Sequence, residues 1–147
     1  MPDKISRIES KAEIETYIER LKYALDNGAQ LNFQIDRRVD DNRTERFTNR
    51  YTIGQLFPNE PPATALKAEL MKLTVKEYIE TVKDLHFPKR SELRVFGRTY
   101  SGADNGDVYI KIRVELLGQY GEKMVFVMSF HFAESSFSAD DFPYREE

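Results

Sequence analysis

Residues 107–117, DVYIKIRVELL, and residues 124–132, MVFVMSFHF, decide how this chain is read. In the first stretch Val108, Ile110, Ile112, Val114 and Leu116 alternate with Tyr109, Lys111, Arg113 and Glu115. In the second, Met124, Phe126, Met128, Phe130 and Phe132 alternate with Val125, Val127, Ser129 and His131. A period of two puts alternate side chains on opposite faces of a strand. Gly118-Gln119-Tyr120-Gly121 supplies a turn between the stretches. The pair therefore reads as an antiparallel hairpin whose two strands both hide their even-numbered residues.

A loop from Gly118 to Glu122 sets Leu117 opposite Lys123. Ile110 is then expected to face Phe130, Ile112 to face Met128, and Val114 to face Phe126. On the other side Tyr109 faces His131 and Lys111 faces Ser129, at roughly 5 Å between directly opposed side chains. Leu93 to Tyr100 reads as a third strand. If Asn105-Gly106 closes a two-residue turn, Leu93 and Val95 join the hidden face and Arg94 and Arg98 the polar one.

Upstream the pattern turns helical. Ser10 and Glu13 have capping-box spacing, and Ile14, Ile18, Leu21 and Leu25 follow on one stripe, with Asn27-Gly28 as a stop. Leu31, Phe33 and Ile35 read as a short strand. A helix is expected over 63–71. Thr74 and Glu77 form a second capping box, from which a short helix burying Tyr78, Ile79 and Val82 is expected to run toward Pro88. Helices followed by strands with short connections predict an α+β fold, with N-terminal helices packed on a C-terminal antiparallel sheet.

The 147 residues fit a single domain, 1–147. Hydrophobic residues make up 40% and charged residues 32%, a globular composition with a well-solvated surface. There is no cysteine, which excludes disulfides, thiolate catalysis and cysteine-held zinc. No apolar stretch approaches the roughly 18 residues of a membrane span, and the polar first residues lack a signal-peptide core. A cytoplasmic protein without membrane contact is expected. The net charge is −3, but the tail at about 134–147 alone carries −4, leaving the preceding body near neutral.

The expected polar face gathers Arg94, Arg98, Tyr109, Lys111, Arg113 and His131. Arginine and lysine can hold a phosphate and its developing charge. Histidine moves protons near neutral pH, and tyrosine can orient a ribose hydroxyl. Together they suit cleavage of RNA, where the ribose 2′-hydroxyl is itself the nucleophile and no metal or cofactor is needed. The ordinary meaning of such alternation is a solvated face. Arg37 and Arg38 read as surface charge or as contacts to an RNA backbone. Asp104-Asn105-Gly106-Asp107 lacks the later glutamate of a calcium loop and reads as a turn, so no metal site is expected.

Asp107-Val108-Tyr109-Ile110-Lys111-Ile112 and Met128-Ser129-Phe130-His131-Phe132-Ala133-Glu134 resemble the paired strands of the MqsR-type toxins, small bacterial ribonucleases with a RelE-like fold. The likeness extends to Arg37-Arg38, to Leu73-Thr74-Val75-Lys76-Glu77-Tyr78 and to Phe142-Pro143-Tyr144. It implies metal-independent cleavage of mRNA, no cofactor, and control by a cognate antitoxin protein. By position it matches Tyr109 and His131; combined with the polar face, it puts catalytic work on Tyr109, Lys111 and His131, and RNA binding on Arg94, Arg98, Arg113, Arg37 and Arg38. His131 stands where better-known members carry a lysine, and Glu80 where they carry another. A non-catalytic protein-binding module on the same fold is the alternative, and the acidic tail is a candidate brake lying over the basic face.

Overall fold

The computed structural model describes residues 6–35, 48–83, 92–100, 106–117, 122–133 and 135–145, without side chains at 115–117, 122 and 123. A two-residue strand, β1 (Ser6–Arg7), precedes helix α1 (Lys11–Asp26). The capping box forms as its spacing predicts: Glu13 N donates to Ser10 Oγ at 3.2 Å and Ser10 N donates to Glu13 Oε1 at 2.9 Å. Ile14, Ile18, Leu21 and Leu25 are all buried. The helix ends at Gly28, whose φ of 81° lets Ala29 N reach Ala24 O at 2.9 Å.

Strand β2 (Gln30–Phe33) is followed by two helices, α2 (Asn49–Leu56) and α3 (Pro62–Leu70). Sequence periodicity had indicated α3 but not α2. The second capping box also forms, with Thr74 N donating to Glu77 Oε1 at 2.8 Å, but it heads a single 3-10 turn, Val75–Glu77. The chain then straightens into β3 (Tyr78–Val82), where the sequence reading expected a helix. The β-branched Ile79, Thr81 and Val82 favour the extended form. Tyr78 is fixed by its hydroxyl, 2.7 Å from Thr81 Oγ1 and accepting from Glu9 N at 3.1 Å.

Among the described residues, strands β4 (Leu93–Thr99), β5 (Asp107–Leu117) and β6 (Glu122–Phe132) complete a six-stranded sheet in the order β1-β3-β4-β5-β6-β2. All neighbours are antiparallel except β2 and β6, which run parallel. The fold is α+β, as expected. The three helices contribute to one apolar core with the sheet residues Phe96, Val108, Ile110, Ile112, Val125, Val127, Phe130 and Phe132.

Two registers depart from expectation. Between β5 and β6 the pairs Tyr109↔His131, Ile110↔Phe130 and Lys111↔Ser129 hold, and then Ile112 pairs with Val127. Met128 is the extra residue of a bulge, and beyond it the parity of β6 inverts. Val114 therefore faces Val125, not Phe126, Leu117 pairs with Glu122, not Lys123, and Val125 and Val127 enter the core. Phe126 and Met128 go to the opposite face, where they pack against Val82, Leu93 and Val95.

Between β4 and β5 the ladder continues to Thr99↔Asp107, with Tyr100 N donating to Gly106 O at 2.9 Å. The turn expected at Asn105-Gly106 falls partly outside the described residues, and Gly106 belongs to the ladder. Arg94 pairs with Ile112 and Arg98 with Val108, so both arginines stand on the helix-covered face and Leu93 and Val95 on the other.

Helix α2 has a structural task. Strand β2 covers β6 only as far as Val127. Farther along, Asn49 accepts from Phe130 N at 2.9 Å and donates to Met128 O at 3.0 Å, while Thr52 Oγ1 accepts from Phe132 N at 2.8 Å. Helix side chains thus replace the missing strand and cover an open sheet edge.

Candidate functional site

The bulge and the β4 register decide which candidate residues share a surface. Tyr109 and His131 oppose each other away from the helices, and their rings stack at 5.5 Å between centroids and 20° between planes. Lys111, one step along β5 on the same face, holds its Nζ 5.8 Å from the centre of the Tyr109 ring. The structure therefore brings Tyr109, Lys111 and His131 together.

His131 is only 8% exposed. Its Nδ1 lies 3.0 Å from the carbonyl oxygen of Phe132. A carbonyl can only accept, so Nδ1 carries the hydrogen and the lone pair of the neutral ring sits on Nε2. A nitrogen of that kind can accept a proton. Tyr109 and Lys111 are half-buried on the same surface.

The other expected members lie elsewhere. Arg113 is on the Tyr109 face, but its guanidinium lies 4.8 Å from the centre of the Phe126 ring and the residue is 1% exposed. The inverted parity of β6, which puts Phe126 there, is what buries it. Arg94 lies on the other side of the sheet, over the Tyr17 ring at 4.5 Å. Its Nε and Nη2 donate to Glu9 at 2.8 and 3.0 Å. Arg98, on that same side, pairs with Glu77 at 3.4 Å. The face expected to be polar and open is in fact backed by Val82, Leu93 and Val95, all buried. Arg37 and Arg38 lie outside the described residues.

Glu9, 5% exposed, is a centre that sequence spacing did not reveal. Burial pushes its carboxyl up, but hydrogen bonds from Arg94 and Thr81, with the charges of Arg94 and Arg7, outweigh that and hold it below the ordinary value. Burial likewise opposes the charge on Arg94, and the Glu9 contact more than restores it. A shallow cleft of about 370 Å³ between α1 and β4 is lined by this pair together with Thr16, Tyr17 and Arg20.

The C-terminal segment lies against the sheet. Phe137 N donates to Asp107 Oδ2 at 2.9 Å, and Phe142 is buried. Tyr144 stacks on Tyr78 at 6.2 Å and donates to Glu9 O at 2.5 Å. Among the described residues no helix is long and apolar enough to cross a membrane, and no acidic or histidine cluster has the makings of a metal site. No family model, curated protein or solved structure matches the chain.

Proposed function

We propose that the chain is a metal-independent endoribonuclease, an mRNA-cleaving toxin held in check by a cognate antitoxin protein in the cytoplasm. The observation that supports this reading is the stacked Tyr109–His131 pair with Lys111 beside it, on adjacent strands of the sheet. The toxin and antitoxin assignment rests on the resemblance to the MqsR-type family.

In the reaction, the ribose 2′-oxygen attacks the neighbouring phosphorus and the bond from phosphorus to the 5′-oxygen breaks. A 2′,3′-cyclic phosphate and a 5′-hydroxyl result. One member of the Tyr109–His131 pair takes the 2′-hydroxyl proton and the other delivers a proton to the departing oxygen. Lys111 balances the charge that develops on the phosphoryl oxygens. The nucleophile belongs to the substrate, so the chemistry calls on no cofactor.

A second reading, a non-catalytic module that binds a protein partner, is favoured by one specific observation. Arg94 and Arg98 are engaged with Glu9 and Glu77 on the opposite face, which takes two expected phosphate-binding cations from the site. Induced expression followed by mapping of cleaved RNA ends separates the two. Wild type should leave cyclic-phosphate ends, and His131→Ala and Tyr109→Phe should each lower cleavage by roughly 10²-fold or more while melting close to wild type. Intact RNA with the folded wild type sinks the ribonuclease and leaves the binding module.

A further inference from the structure

A glycine inside a strand packs nothing and weakens it, so it marks a place where another group comes close. At Gly97 that group is aromatic. A Cβ there would stand 2.7 Å from Cε2 and 2.9 Å from Cζ of Phe137, and 3.1 Å from Cδ1 of Ile79. Gly97 opposes Tyr109, and Tyr109 opposes His131. Opposed residues share a face, so the Phe137 ring lies on the surface of the Tyr109–His131 pair and in the same cross-strand row. Neighbouring strands are spaced by about 4.8 Å, which puts the Phe137 ring over the strand beside Tyr109.

The ring is held in place. Its backbone N–H is tied to Asp107, whose other carboxylate oxygen accepts from the Thr99 hydroxyl. The buried Phe142 meets it edge-on at 5.5 Å and 89°. Phe137 is still only half-buried, so a fixed aromatic surface is offered beside the pair. A ring immobilised before binding loses little entropy when something stacks on it.

Resting on the ribonuclease reading, we propose that Phe137 is the base-stacking residue of this site, and that the substrate is single-stranded RNA bound with little preference among bases. Every base has a π-face, so stacking tolerates any sequence. Bases within a duplex are already stacked on their neighbours and are not available to the ring. Stacking would position the nucleotide next to the scissile phosphate, with Phe137 a substrate-binding residue and Tyr109, His131 and Lys111 the groups that react.

The chain contains no tryptophan, so Phe137→Trp places a single fluorescent reporter at the proposed platform. The probe is a short single-stranded RNA with 2′-O-methyl riboses, which binds but cannot be cleaved. Its addition should quench the Trp emission, and a duplex of the same sequence should not. In parallel, Phe137→Leu, which keeps an apolar side chain over Gly97, should weaken binding of that probe roughly tenfold with an unchanged melting temperature. Cleavage by wild type together with unquenched emission, or with full affinity in Phe137→Leu, overturns the stacking role and leaves the ribonuclease standing. Tighter binding by Phe137→Leu also overturns it and makes the tail a brake. Wild type that neither binds nor cleaves any RNA removes both.

Discussion

Arg94 shows how little the position of a charged residue says about its use. Its alternation along β4 suggested a cation presented to a phosphate, yet its guanidinium is clamped by Glu9 and lies on Tyr17. Glu9 is remote in sequence, and no spacing rule connects the two residues. An arginine also buries its stem readily and can occupy a covered face if an acid waits there. Removing one partner of a buried pair leaves the other uncompensated. Arg94→Ala should therefore cost about 3–5 kcal/mol, read as a lowered urea midpoint, and Arg94→Lys should recover only part because an ammonium cannot match both carboxylate oxygens. A wild-type midpoint in Arg94→Ala would mean that Glu9 is satisfied without it. Tyr109 and His131 were legible through parity, which puts them on one face; their direct opposition holds because the pairing of Leu117 with Glu122, one residue short of the expected Lys123, is offset by the bulge at Met128.

At the scale of the element, α1 and the first half of the β5–β6 hairpin could be read because one periodicity dominated each. The remainder of β6 could not. Met124, Val125, Phe126, Val127 and Met128 are all apolar, and a continuous apolar run carries no parity to betray a bulge. The β4 register failed on the connection, since the ladder extends to Tyr100 and Gly106 and so takes in a residue the expected turn had claimed. Helix α2 escaped notice because its value lies in Asn49 and Thr52, polar residues that close a sheet edge. Asn49→Ala strips partners from Phe130 N–H and Met128 C=O in a place where Asn49 itself is 2% exposed. The expected loss is at least about 2 kcal/mol, with faster hydrogen exchange at the Phe130 amide. Unchanged exchange there would show that α2 does not hold the edge.

For the molecule as a whole, the titrating groups define a window of pH. The carboxyls of Glu9 and Glu92 are depressed, Glu92 chiefly by its hydrogen bond from Arg7. Their stabilising effect is complete above the unfolded value near 4.5 and is lost as pH falls through the lower folded values. Burial raises the Tyr17, Tyr78 and Tyr100 phenols, the last aided by its bond to Glu69. Their contribution is complete below the unfolded value of 10.0 and fades as pH climbs past it toward the folded values. Urea midpoints plotted against pH should hold level between these limits and fall on both sides. Glu9→Gln should lie below wild type at neutral pH and converge with it in acid. Parallel curves down to low pH would assign the acid loss to other groups.

The parallel pairing of β2 with β6 also has a meaning in time. Gln30 meets Met124 and Phe33 meets Val127, so a strand made early by the ribosome waits for one made late. At roughly 5–20 residues per second the wait lasts on the order of 5–20 s, and so distant a closure slows folding in its own right. Leu31 and Phe33 spend that interval without the partner that covers them, a natural opening for chaperones. The proposed site draws on His131 and Phe137, still farther along the chain, so it cannot exist in a nascent fragment. Any work of this surface begins only after the ribosome has passed those codons.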